Sequence, residues 1–252
     1  MALIVQVLKE DNENSDNYGT RRIFLSLRNN QGYLGSYSTV YRVCRENFIT
    51  LPKKKKPKSL THDDRKAQKS ENLINQDFTA TAPNKKWLSD ITEVPCADGK
   101  LYIAPVPDCF DGAIVGLAMD SNMRKELCIN AFESACIRHK ARKMIFHSDR
   151  GSQYTSHDFR VSLAKFDAAQ SMSGTGRCYD NARMESFFAT LKKEKLYQVD
   201  TQRLTMKAVE TIVWRYVFGY YNNRRVYTTN DGWPPMVYRG MFYNNQQLEL
   251  VA

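Results

Sequence analysis

Apolar residues along the chain change spacing several times, and each change marks an element. Lys143-Met144-Ile145-Phe146 is a short apolar run of strand type, ended abruptly by the turn-forming Asp149-Arg150-Gly151-Ser152. Trp87 to Val94 reads as another strand, with Asp90 in its interior, where an unpaired carboxylate is costly to bury. Leu101-Tyr102-Ile103-Ala104 and the run from Ala113 to Met119 flank a turn-like segment over 108–112 and predict an antiparallel hairpin. Pro105 and Pro107 cannot donate to a ladder, so pairing is expected to end by Ala104. Leu127, Cys128, Ala131, Phe132, Ala135 and Cys136 fall on one helical stripe. A helix around 159–166 and a strand over 168–172 follow. Met184, Phe187, Phe188 and Leu191 recur at i, i+3, i+4 and i+7, which predicts a helix with Asp180 as its N-cap and Glu185 bordering the apolar stripe. Helical spacing resumes from Thr205 and runs through Met206, Val209, Ile212, Val213, Tyr216, Val217 and Tyr220. A hairpin leading into αβ alternation implies a mixed sheet with helices on its faces.

Ahead of this lies a small helical module. Ile23, Phe24 and Leu27 predict one short helix, and Val40, Val43 and Cys44 a second behind a Ser38 cap, with Gly32 and Gly35 in the turn between. Basic residues at Arg21, Arg22, Arg28, Arg42 and Arg45 make a helix-turn-helix against DNA one reading of the pair and a plain helical cap on the main domain the other.

Charge sharpens the choice of partner. The chain has 252 residues and a formal net charge of +10, which favours a polyanion. No run approaches ~18 consecutive apolar residues, so nucleic acid is expected rather than a membrane. The start, Met1 to Leu8, lacks the basic opening of a signal peptide, and a cytosolic site is expected. Residues 51–70 carry +6, with Lys53, Lys54, Lys55 and Lys56 in one run. Such segments are solvated, and they also attract phosphate without regard to sequence. Cys44, Cys96, Cys109, Cys128, Cys136 and Cys178 form no C-x-x-C pair, and none stands at zinc spacing from a histidine, so no structural zinc is expected.

Three acids stand out from this frame. Asp149 follows a strand's carboxyl end, the edge at which open α/β sheets bind ligands. Fifty-eight residues separate Asp90 from Asp149, and 35 separate Asp149 from Glu185; Lys192 lies two helical turns beyond Glu185 on nearly the same face. Converging carboxylates repel one another, and a cation or a proton relieves them. An all-oxygen donor set selects a hard ion, Mg2+ or Mn2+.

Several motifs occur in one order: Trp87-Leu88-Ser89-Asp90-Ile91-Thr92-Glu93, His147-Ser148-Asp149-Arg150-Gly151-Ser152-Gln153-Tyr154, Ser173-Gly174-Thr175-Gly176-Arg177-Cys178-Tyr179-Asp180-Asn181-Ala182, Glu185-Ser186-Phe187-Phe188, Leu191-Lys192 and Tyr220-Tyr221-Asn222. Together they span nearly the whole chain, which resembles the second-frame (OrfB) transposases of the insertion-sequence-three family. The catalytic core of that family belongs to the retroviral integrase superfamily with its D, D-35-E signature.

The resemblance implies an RNase H-like mixed five-stranded sheet with flanking helices, preceded by the helix-turn-helix-like module. The organisation expected is the module over 1–50, lacking part of its first helix, a basic linker over 51–82, the integrase-type core over 83–200, and a C-terminal helix and tail over 201–252 packing on the core. It implies a DDE polynucleotidyl transferase, in which Asp90, Asp149 and Glu185 serve as catalytic residues and as ligands to two Mg2+ or Mn2+ ions. Water frees a 3′-OH at the element's end, and that hydroxyl then attacks another phosphodiester. DNA contacts are expected from Lys192, Lys193, Arg21, Arg22 and the four linker lysines. Expected partners are double-stranded DNA, a first-frame (OrfA) protein or fusion, and further copies of the chain on DNA, in a bacterial cytoplasm at the nucleoid. Family members often carry a histidine where Tyr227 stands, so no chemistry is assigned to that position. A DNA-binding protein without catalysis, and a metal-dependent nuclease that cuts without joining, are the competing readings.

Overall fold

In a computed structural model, residues 1–10, 18–49, 70–174 and 178–251 are described. The run Lys53, Lys54, Lys55 and Lys56 lies outside them. The chain divides into two units, Thr61–Tyr220 and a second made of Met1–Leu60 with Tyr221–Ala252.

The Thr61–Tyr220 unit is built on two ladders. One is parallel, in the order β1 (Lys86–Leu88), β5 (Ile145–Ser148), β6 (Ala169–Met172); the other is antiparallel, in the order β2 (Thr92–Cys96), β3 (Gly99–Pro107), β4 (Ile114–Asp120). β1 and β2 are two parts of one extended run broken at residues 89–91. Counted as one strand, they make the expected five-stranded mixed sheet, β4-β3-β2/β1-β5-β6, which is RNase H-like. Asp90 therefore stands in the break between two ladders and not inside a strand. No ladder partner is displaced by its carboxylate there.

Pairing also runs further than the prolines suggested. β3 continues to Pro107 with a register shift between Val106 and Pro107, and Pro105 pairs with Leu117. The reason lies in the broken neighbour: β2 covers β3 only as far as Ile103. Pro105 turns its carbonyl to that side and accepts from Ser89 Oγ at 3.0 Å, so its missing N–H falls where no ladder acceptor waits.

Parallel strands buried on both faces read as continuous apolar runs, and Trp87, Leu88 and Phe146 are fully buried. Helix α4 (Lys125–His139) lies on the sheet through Phe132, whose ring meets Phe146 at 5.0 Å and Trp87 at 6.3 Å. Cys128 and Cys136 sit in this layer as buried free thiols. Gly116 of β4 lets α4 approach closely, because a Cβ there would meet the Ala131 carbonyl at 2.3 Å. Beyond β5 the chain turns into α5 (Ser152–Thr155) and α6 (His157–Lys165), where Ser156 caps α6 by accepting from Phe159 N. A 3-10 turn, Cys178–Asn181, leads into α7 (Ala182–Glu194). The last helix of this unit, α8 (Met206–Trp214), is followed by a π-helical stretch, Arg215–Tyr221.

Two domain boundaries differ from expectation. Residues 70–78 belong to the core: Met172 N donates to the Glu71 carbonyl, and Leu73 N donates to Ser171 Oγ. Residues 221–252 group with the first helices instead of the core.

In that second unit α1 (Ala2–Glu10), α2 (Thr20–Gln31) and α3 (Tyr37–Glu46) bury Ile4, Val7, Ile23, Leu25, Val40 and Cys44. α2 ends at Gly32 in the left-handed region, and α3 is capped by Ser36, whose Oγ accepts from Thr39 N. Ser36 takes the role assigned to Ser38 because the helix starts two residues earlier. The tail joins through Val226 N donating to Tyr18 Oη, and through Arg28 paired with Asp231. Helix α9 (Pro235–Val251) completes the unit. Among the described residues no helix is long and apolar enough to cross a membrane.

Candidate active site

Strand register brings the two aspartates together. β1 pairs with β5 through Trp87 opposite Phe146 and Leu88 opposite His147, and Ser89 N extends the ladder to the His147 carbonyl. Asp90 and Asp149 lie two residues beyond the Leu88–His147 pair at the same carboxyl end of neighbouring strands, which run ~4.8 Å apart. Behind them Ser89 Oγ and Tyr154 Oη share a buried hydrogen bond of 2.8 Å that fixes the floor of the site.

Each carboxylate is held in place. Asp90 Oδ1 accepts from Ile91 N at 2.8 Å, and its Oδ2 accepts from Asn181 Nδ2 at 3.0 Å. Asp149 Oδ1 accepts from Gly151 N at 3.1 Å, which is the turn chemistry of the Asp-Arg-Gly sequence. Burial first, and then the charges of Asp149 and Glu185, push the Asp90 carboxyl up to about 7, against the Ile91 hydrogen bond and the more distant Lys192. Burial also raises Asp149, and the Gly151 hydrogen bond partly offsets it. Glu185 is exposed in the first turn of α7, near enough for its charge to act on Asp90. Lys192 is half-buried and Lys193 exposed.

Among the described residues no three acid, histidine or cysteine side chains stand close enough to hold a metal ion in common. The donor chemistry nevertheless fits a hard divalent cation: two half-buried carboxylates side by side, a third at the rim, and a mutual repulsion that such a cation would relieve. His147 is not available as a ligand. It is fully buried, its Nδ1 bonded to Ser171 Oγ at 2.8 Å and its Nε2 to Ser173 Oγ and the Asp180 carbonyl, and burial lowers its pKa to about 4.

The sequence reading misassigned one acid and overlooked two residues. Asp180 does not cap α7; it is fully buried and accepts from Asn72 Nδ2, Gln76 Nε2 and Gly174 N at 2.8–3.1 Å. It ties residues 72–76 to the turn that launches α7. Glu194, at the end of α7, is buried and accepts from Tyr216 Oη at 2.8 Å. Asn181, beside Asp90, and Arg183, which donates to the Phe78 and Cys109 carbonyls, were not singled out. The signal for Asn181 was its place one helical turn before Glu185, inside a motif already recognised.

Arg21 and Arg22, on the other unit, are engaged by rings. The Arg21 guanidinium lies over Phe24 and Tyr37, and that of Arg22 over Tyr18.

Comparison with known proteins agrees with this architecture. Residues 80–178 match the family model described as integrase core domain, a span that contains Asp90 and Asp149. The chain is 34% identical over 230 residues to the transposase InsF for insertion sequence IS3A of Escherichia coli K12, covering 91% of this chain and 79% of that one. It is 43% identical over 161 residues to the transposase for insertion sequence element IS904 of Lactococcus lactis, where the match spans 64% of this chain and 63% of the relative. Among solved structures, a simian T-cell lymphotropic virus intasome in complex with PP2A regulatory subunit B56 gamma superposes with a TM-score of 0.51 at 15% identity, over 83% of this chain and 66% of that one. The chain belongs to the IS3-family transposases and carries their integrase core domain.

Proposed function

We propose that this protein cuts DNA at the ends of an insertion element and joins the freed 3′-OH to another phosphodiester, using Asp90, Asp149 and Glu185. The observation that carries the reading is the register that sets Asp90 and Asp149 side by side at the carboxyl end of β1 and β5. In cleavage a water oxygen attacks phosphorus, the P–O3′ bond breaks, and the 3′ oxygen leaves with a proton. In joining that 3′-OH attacks in turn and a second 3′ oxygen leaves. One bond forms and one breaks in each step, so no covalent enzyme intermediate or oxidant is needed.

Asp90 and Asp149 would hold divalent Mg2+ or Mn2+, two ions in the full site, with Glu185 completing the set. The bound ion supplies activation of the attacking oxygen and stabilisation of the leaving one. The protein's own part is to hold the carboxylates, to keep Asp90 beside Asp149 on a hydrogen-bonded floor, and to set Lys192 as a point charge toward phosphate. Lys193, Arg21, Arg22 and the linker lysines Lys53, Lys54, Lys55 and Lys56 supply sequence-independent attraction to the backbone. The helix-turn-helix-like module of α2 and α3 orients the chain on double-stranded DNA, where several copies assemble, with or without a first-frame (OrfA) partner, in the cytoplasm at the nucleoid.

Incubation of the full chain with Mg2+ and element-end DNA tests this. Wild type is expected to cleave and then join, whereas Asp149→Asn and Glu185→Gln should do neither while binding DNA normally, because shape is kept and ligand charge is lost. Glu93, exposed and paired with Lys100, is the control acid, and Glu93→Gln should leave both steps unchanged. DNA binding without cleavage by wild type would instead favour a protein that has lost catalysis, and cleavage without joining a nuclease.

A further inference from the structure

Asn181 occupies the N-cap of α7, a position where Asn is among the favoured residues because its side chain satisfies a free backbone N–H. Here it makes no such bond. Ser36, Ser156 and Thr205 all cap their helices in the ordinary way, each accepting from the N–H three residues on. Asn181 instead sends its amide Nδ2 to Asp90 Oδ2 at 3.0 Å. The acceptor at Asp90 sets the orientation of the carboxamide and turns its Oδ1 away. That Oδ1 is buried and has no hydrogen-bond partner among the described residues, in a side chain only 8% exposed. A residue that gives up a cap and leaves a buried acceptor unsatisfied is not arranged for stability.

Its location shows what it is arranged for. Asn181 ends the turn Cys178–Asn181, Ala182 opens α7, and Glu185 follows one helical turn later on the same rigid element. Asp180, next in the chain, anchors the turn from the other side through Asn72, Gln76 and Gly174. The bond to Asp90 is thus a direct tie between the strand acid and the helix that carries the third acid.

We propose that Asn181 is a positioning residue that fastens the Glu185 helix to the Asp90 carboxylate and sets the spacing at which these acids can share a divalent cation. The inference rests on the triad reading above. Residues that orient metal ligands typically change metal affinity or activity by roughly 10–100-fold when removed.

Asn181→Ser is the informative variant, because serine is an equally good N-cap but too short to reach Asp90. In the full chain we expect an unchanged or higher melting temperature, unchanged DNA affinity, a roughly ten-fold or greater loss of Mg2+ affinity by titration calorimetry, and a cleavage rate reduced to match. Wild-type Mg2+ binding in Asn181→Ser would overturn the proposal, and so would a fall in melting temperature of several degrees, which would mark a structural role. Asp90→Asn and Glu185→Gln run alongside separate the two ideas: if they too leave cleavage intact, the triad reading has failed, and if they abolish it while Asn181→Ser behaves as wild type, only the role of Asn181 has.

Discussion

Replacing Asp90 by Asn should stabilise the metal-free protein, and by an amount that depends on pH. In the folded chain burial and the Asp149 and Glu185 charges raise the Asp90 carboxyl from its ordinary 3.8 to about 7. A carboxyl whose folded pKa exceeds its unfolded pKa opposes folding once it must ionise. The cost is absent below pH 4, grows between pH 4 and 7, and is complete above that range. At 1.36 kcal/mol per pH unit the full cost is about 4 kcal/mol, and because Asp90 is partly solvated roughly half of that is a reasonable expectation. About 2 kcal/mol corresponds to a rise of roughly 4–8 °C in the melting temperature of a domain this size. The substitution strands little: Ile91 N keeps an oxygen to bond, and Asn181 can turn its carboxamide so that the unpartnered Oδ1 accepts from the new amide. The assay is thermal melting of wild type and Asp90→Asn in chelator at pH 5 and pH 8. The variant should melt higher at pH 8 by clearly more than at pH 5, and millimolar Mg2+ should narrow the pH 8 gap by raising wild type alone. A variant less stable than wild type at pH 8, or a gap equal at both pH values, would refute the claim that repulsion and burial load this carboxylate.

Asp180→Ala should cost several degrees of melting temperature, since it leaves the half-buried amides of Asn72 and Gly174 without their acceptor at about 1–3 kcal/mol each before relaxation, while the exposed Gln76 can turn to water; an unaltered melting curve would show that the 72–76 segment is held by other means. Deleting residues 51–70, which carry +6, should weaken DNA binding equally for all sequences and flatten its dependence on salt. An unchanged slope of log affinity against log salt would show that this segment touches no phosphate.

Much of this was legible in the residue pattern because it depends on local rules. Alternation and turn chemistry located the strands around Trp87 and Phe146, helical spacing located α4 and α7, and three acids at 58- and 35-residue intervals named the candidate site that we propose. Charge pointed to a polyanion for the same reason, since net charge needs no fold to be read. What escaped depends on partners distant in sequence. Pro105 reads as a strand breaker until the neighbouring strand proves to be interrupted opposite it. Asp180 reads as a helix cap until Asn72 and Gln76, more than a hundred residues earlier, close around it. Residues 221–252 read as an appendage of the core until Tyr18 and Arg28 claim them for the first helices. A buried polar group is defined by which acceptor or donor reaches it, and that is set by packing between elements; the period of apolar residues along any one of them carries no record of it.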